Sequence, residues 1–137
     1  MCLTIEDCYM SRISTTAVGT ISVTTLRDGE RTLPPEALKN LSDEDITKIN
    51  SDENQSLTFT NFNACVIQKG NQNLLVDAGC GTLFGPTCGF ILDALDELGL
   101  APDDITDIFI THLHPDHIGG CINEDGSAVF RNANFKI

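Results

Sequence analysis

Basic charge is scarce in this chain: of its 137 residues 8 are Lys or Arg against 20 Asp or Glu, a formal net charge of −12. A surface so acidic repels phosphate backbones, which argues against nucleic acid as a partner. Long apolar runs are missing as well. The richest stretches, Asn73 to Val76 and Phe109 to Ile110, fall far short of the roughly 20 residues a spanning helix needs, so no membrane is expected. The opening residues Met1-Cys2-Leu3-Thr4-Ile5-Glu6-Asp7-Cys8 carry acid where a secretory leader carries basic charge. No Cys-x-x-C pair occurs among the cysteines at 2, 8, 65, 80, 88 and 121. Scattered through apolar or Gly-rich segments, they read as reduced thiols rather than a disulfide framework, and a cytoplasmic setting is expected.

No repeat, low-complexity segment or internal linker divides the chain. With 41% hydrophobic and 20% charged residues it has enough apolar surface to close one core, and its length suits one domain. Residues 1–16 lack periodicity and read as a loose lead-in to a domain over 17–137. Val18 to Leu26 reads as a strand, Asp28-Gly29 as a turn, and Ser42 before Asp43-Glu44-Asp45 as the cap of a short helix. Pro34-Pro35 interrupts regular structure. Leu57 to Phe62, Ala64 to Gln68 and Asn73 to Asp77 are β-prone, with Gly70-Asn71 turning the last two into a hairpin.

Gly79, Gly81 and Gly85 punctuate a loop, and Pro86 to Leu98 repeats apolar residues at helical spacing before Gly99 stops it. Ile105 to Thr111 reads as a buried strand and Asn134 to Ile137 as another. Strand, helix, strand implies two parallel strands joined by a right-handed crossover, with Asp77 and His112 at their carboxyl ends. The fold class is α/β (α+β).

All 3 histidines of the chain fall within Thr111-His112-Leu113-His114-Pro115-Asp116-His117-Ile118-Gly119-Gly120. Imidazole is the commonest transition-metal ligand near neutral pH, and a carboxylate adds a hard anionic oxygen. His112 and His114 share a side by the two-residue period, Pro115 bends the chain so that Asp116 and His117 reach a neighbouring point, and a helix is expected to begin near Gly119-Gly120. Two adjacent metal positions follow. A histidine-rich exposed loop without metal is the competing interpretation.

His112-x-His114-x-Asp116-His117, preceded by Asp77-x-Gly79 at a strand end, resembles the signature of the metallo-β-lactamase fold family. The resemblance implies a four-layer αββα sandwich of two similar halves, of which residues 18–137 would be the first, with the active site at one edge between the sheets. By the same resemblance His112 and His114 would hold a first metal ion and Asp116 and His117 a second. Asp77 would hold the metal loop by hydrogen bonds from outside the ligand set. The ions would be zinc, with Mn²⁺, Fe²⁺ and Co²⁺ as alternatives, and would share a water whose pKa they lower toward neutrality. Asp116 would also act catalytically, orienting the hydroxide or passing its proton to the leaving group.

Val18 to Thr24 through Asp28-Gly29, Asn63-Ala64 and Gly81 to Thr87 resemble the branch that holds methyl parathion hydrolase and related lactonases. That implies a small-molecule substrate with an ester-like bond, such as a lactone, carboxylester or phosphotriester, and a pocket beside the metals with Leu83 and Phe84. The family's remaining ligands, a histidine, a bridging aspartate and a last histidine, lie downstream of the motif, and no histidine follows His117 here. The expectation is an incomplete amino-terminal part, completed by a missing carboxyl-terminal half or by a partner chain. Three alternatives stand beside it: a catalytically inactive fragment or partner-dependent metal-binding half-fold, a mononuclear iron dioxygenase relative, and a nuclease that the charge disfavours. Oligomeric state is not legible.

Overall fold

The computed structural model describes residues 10–32, 39–51 and 59–137. Cys2, Cys8, the Pro34-Pro35 interruption and Leu57 lie outside them. A single six-stranded sheet has the order β1-β2-β3-β4-β5-β6. β1 (Ile13–Val18), β2 (Ile21–Thr32), β3 (Phe59–Lys69) and β4 (Gln72–Val76) form an antiparallel meander, and β5 (Asp107–Phe109) and β6 (Asn134–Lys136) extend it in parallel. The helices are α1 (Asp43–Asn50), α2 (Ile91–Leu98) and the single turn α3 (Pro115–Ile118). This is the mixed α/β class expected, with a sheet and a helical layer matching part of the αββα sandwich.

The start of the domain differs from expectation. Residues 13–16 belong to no lead-in: they pair with β2, Ile13 opposite Leu26 and Thr16 opposite Val23. β1 is an edge strand with mostly exposed side chains, so it shows none of the alternation that burial on one face imposes. The run from Val18 to Leu26 is two strands, because Gly19, at φ +62°, turns the chain between Val18 and Ile21. Asp28-Gly29 is no turn. It is a bulge within β2, where the register against β3 slips between Arg27 and Gly29. A Cβ on Gly29 would stand 2.2 Å from the Thr87 carbonyl, so the residue is needed for close backbone approach.

The capping residue of α1 behaves as its sequence implies: Ser42 Oγ accepts the Asp45 N–H at 3.1 Å and Asp45 returns a bond to the Ser42 N–H at 3.2 Å. Helix α2 begins at Ile91 rather than Pro86. Gly89, at φ +92°, breaks the helical path. The first turn instead finds its acceptors on the β2 bulge, where Asp28 O takes the Phe90 N–H at 3.0 Å and Asp28 Oδ1 the Ile91 N–H at 3.1 Å. Gly99 closes the helix in the left-handed region at φ +81°, as its position after Leu98 predicts.

Ile91, Ala94 and Leu95 of α2 bury against Leu26, Val66, Leu75 and Ile108, with Ile105, Ile110 and Phe130 completing the core. Leu75 lies beside Ile108 in parallel register, so α2 is the crossover of a β4–α2–β5 unit. That connection brings Asp77 and the histidine segment to the same end of the sheet. On the opposite face, Val23, Ile67, Leu74 and Val76 are half-buried and Phe109 is exposed.

Candidate functional site

Two loops leave the carboxyl ends of β4 and β5 and run side by side. Asp77 N–H donates to Phe109 O at 2.9 Å, Ala78 N–H to His117 O at 2.8 Å, and Gly120 N–H to Gly79 O at 3.0 Å. Backbone approach this close excludes side chains: a Cβ on Gly119 would stand 2.2 Å from Cys80 O, and one on Gly120 2.0 Å from Ala78 O. The expected helix at Gly119-Gly120 starts earlier. Pro115 opens α3, with His117 N–H bonded to His114 O at 3.0 Å, and a 3₁₀ turn over Gly119–Cys121 follows. Proline suits a first helical position, where its missing N–H costs nothing.

His112, His114, Asp116 and His117 gather at this turn. The His112 ring centroid lies 4.5 Å from that of His114 and 3.9 Å from that of His117. Two pairs of donor atoms face each other: His112 Nε2 and His114 Nδ1 at 3.0 Å, and His117 Nε2 and Asp116 Oδ2 at 3.3 Å. Metal–nitrogen bonds of 2.0–2.1 Å put neighbouring corners of a tetrahedral ion about 3.3 Å apart, so each pair has the spacing of two such corners. Among the described residues, no three or more His, Cys, Asp or Glu side chains converge on one metal position. The four side chains form two pairs of adjacent donor atoms and not one cluster.

Asp77 organises the other side of the rings. It is buried and sits at φ +60°, in the left-handed region that Asp tolerates better than most residues. Its Oδ2 lies 2.7 Å from His117 Nδ1, and its Oδ1 accepts the Thr111 N–H at 2.8 Å. Both oxygens of Asp77 are thus engaged by the segment that carries the histidines. Thr111 Oγ1 lies 2.9 Å from Asp77 Oδ2 and 3.0 Å from His112 Nδ1. This hydroxyl has no role in the sequence reading, although Thr111 stands directly before the first histidine at a strand end.

Residues 57–122 match the profile of the Metallo-beta-lactamase superfamily. The structure of AidC, a dizinc quorum-quenching lactonase in complex with a product, superposes with a TM-score of 0.82 at 27% identity, over 90% of this chain and 43% of that one. That of hydrolase AbOPH gives 0.79 at 30% identity, over 92% of this chain and 44% of that one. A probable metal-dependent hydrolase from Staphylococcus aureus gives 0.71 at 25%, over 88% and 47%. The chain has part of the metallo-β-lactamase fold. It spans less than half the length of each of these three proteins. No match was found among curated protein sequences.

Within this metallo-β-lactamase fold the two residues expected to line a pocket differ in their surroundings. Leu83 is exposed, and its Cδ1 would meet a Cβ on Gly119 at 3.0 Å, which puts it next to the end of the histidine segment. Phe84 stacks on Phe62 with centroids 5.6 Å apart and has the Arg31 guanidinium 5.2 Å from its ring centroid. Much of its ring is engaged within the domain. Burial, with the Asp28 carboxylate next, pushes the Cys80 thiol far up, and burial with the charge of Asp77 pushes Cys121 up to about 11. Both stay protonated thiols at neutral pH.

Asp28 is the other residue whose role escapes sequence reasoning. It is fully buried, and its carboxylate takes the Cys80 N–H at 2.8 Å as well as the Ile91 N–H. It thereby fastens the loop after Asp77 to the start of α2. An acidic residue before glycine is a turn signal by local rules, and nothing local shows that its partners lie 52 and 63 positions away.

Proposed function

We propose that this chain carries the metal-binding edge of a dinuclear metallohydrolase that cleaves ester-like bonds of small molecules, such as lactones, carboxylesters or phosphotriesters. The observation that carries it is the facing of four donor atoms in two pairs at 3.0 and 3.3 Å. In this reading His112 Nε2 and His114 Nδ1 hold one divalent ion and Asp116 Oδ2 and His117 Nε2 the other. Zinc suits these donors, and Mn²⁺, Fe²⁺ and Co²⁺ are accepted by the same ligand types. When bound, such ions polarise a carbonyl or phosphoryl oxygen and lower the pKa of water toward neutrality.

The chain's own residues prepare that chemistry. Asp77 orients His117 and anchors the start of the histidine segment through the Thr111 N–H. Asp116, beside the reacting position, orients the attacking water or carries its proton to the leaving group. Leu83 contributes apolar contact to substrate, with Phe84 a lesser contributor because its ring is stacked on Phe62. Likeness to a dizinc lactonase and to hydrolase AbOPH supports ester-like substrates and the branch near methyl parathion hydrolase. The net charge of −12 supports small substrates over nucleic acid. Free thiols at Cys65, Cys80, Cys88 and Cys121 support a reducing, cytoplasmic setting.

Each pair supplies two donors, and in this reading the others come from polypeptide outside these residues, either continuing chain or a partner. The same two-donor pairs favour a second reading, a metal-binding half that is catalytically silent until joined. Cobalt titration of the 137-residue chain, followed by absorbance and run beside hydrolysis of a lactone, a carboxylester and a phosphotriester, separates them. Cobalt uptake that His112→Ala and His117→Ala abolish, with hydrolysis, supports the enzyme. Uptake without hydrolysis supports the silent half, and no uptake overturns both.

A further inference from the structure

The hydrogen-bonding inventory at Thr111 leaves one consistent assignment of protons. Its Oγ1 lies 3.0 and 2.9 Å from the two Asp77 oxygens, 3.0 Å from His112 Nδ1 and 3.3 Å from His117 Nδ1. A carboxylate only accepts, so the single hydroxyl proton goes to Asp77. What Thr111 then offers the imidazoles is lone pairs. His112 Nδ1 must therefore carry a proton to donate across its 3.0 Å contact, and His112 Nε2 is left bare. His117 donates Nδ1–H to Asp77 Oδ2 at 2.7 Å, while its Nε2 lies 3.3 Å from Asp116 Oδ2, on the side away from Asp77.

We propose that Thr111 is a positioning residue that relays the Asp77 carboxylate to His112, so that one acid sets the tautomer of a histidine in each donor pair. The consequence rests on the metal reading above: with Nδ1 protonated, His112 Nε2 keeps its lone pair, which accepts across the 3.0 Å contact with His114 Nδ1 until an ion takes that place. Without the hydroxyl, His112 Nδ1 has no partner on this side, and the ring is free to protonate at Nε2. That form points N–H at the position an ion would take. Asp77 alone cannot do this for His112, since the described contacts of His112 Nδ1 run to Thr111 and not to the carboxylate.

Imidazole nitrogen NMR on the ¹⁵N-labelled 137-residue chain at mildly alkaline pH, without metal, tests the relay. Wild type should show Nδ1–H at both His112 and His117. Thr111→Val should move His112 toward Nε2–H and leave His117 unchanged, and Thr111→Ser should restore His112. Amide signals of α2 report whether the variants fold, and Thr111→Ala replaces valine if valine does not fit. Nε2–H at His112 in wild type, an unchanged His112 in the variant, or a parallel shift of both histidines overturns the proposal. A zinc titration should show Thr111→Val binding roughly 10–100-fold more weakly and Thr111→Ser near wild type. Failure of wild type to bind zinc removes the metal reading, while the relay still stands or falls on the metal-free spectra.

Discussion

At the scale of single residues, Asp77 combines two demands that few side chains meet. It holds His117 and Thr111 through its oxygens and occupies the left-handed region at φ +60°. Asn tolerates that backbone region, whereas Ala there costs roughly 1–2 kcal/mol. Asp77→Asn is therefore expected to fold with nearly wild-type thermal stability while losing about 10–100-fold in metal affinity, and Asp77→Ala to lose both. Calorimetric titration and thermal melts of the two variants check the split. Equal affinity in Asp77→Asn and wild type would remove Asp77 from the site.

Cys121 gives a pH prediction at the same scale. Its thiol ordinarily titrates at 9.0, and burial and Asp77 raise it to about 11 in the folded chain. Protonated thiol is thus favoured by folding, and above pH 9.0 the unfolded chain releases its proton first. The stabilisation is complete below pH 9.0 and is lost as pH rises through about 11. Cys121→Ala should flatten that part of the stability curve. Residue chemistry is the most legible layer: the histidines and Asp116 stand out as candidates because their types and spacing are local. Thr111 and Asp28 do not, since a hydroxyl or a carboxylate has many uses and its partners are chosen by the fold.

At the scale of elements, periodicity revealed the parts that bury one face. The β3–β4 hairpin, the face of α2, its stop at Gly99 and the parallel β5 all lie near their expected places. The misread boundaries share a cause: tertiary partners replaced local signals. Edge strand β1 hides no face, the β2 bulge uses turn residues for close packing, and α2 takes its first acceptors from Asp28 instead of from its own preceding residues. Asp28→Ala leaves the Cys80 and Ile91 N–H groups buried without acceptors. It is expected to cost about 3 kcal/mol or more, measured by denaturant unfolding. A cost under about 0.5 kcal/mol would mean that other acceptors take over. Gly120→Ala, whose Cβ would meet Ala78 O at 2.0 Å, should displace the histidine segment and weaken metal binding as well as stability.

At the scale of the whole molecule, one face of the sheet is covered by α2 and the other carries Val23, Ile67, Leu74, Val76 and Phe109, half-buried or exposed. Apolar surface in that amount binds hydrophobic dyes and promotes association. The 137-residue chain should bind such a dye and sediment with concentration-dependent mass. Ile67→Lys with Phe109→Lys should reduce both signals and leave the histidine spectra unchanged. A monomer without dye binding would show that this face is too dispersed to behave as a patch. The fold was legible because the motif and the βαβ order are compact in sequence. What covers the second face was not, because no local pattern names a partner.

The crossover from β4 through α2 to β5 has a thermodynamic consequence. The bond between Asp77 and His117 joins positions 40 apart, so in the proposed metal reading an ion at His117 would draw on a contact that exists only when the crossover has formed. Binding and folding are then linked functions: occupancy stabilises the fold by RT ln(1 + [L]/Kd), and a substitution that opens the crossover, however distant from the histidines, weakens occupancy in return. On that reading, the affinity of the site would gauge how completely the core is assembled.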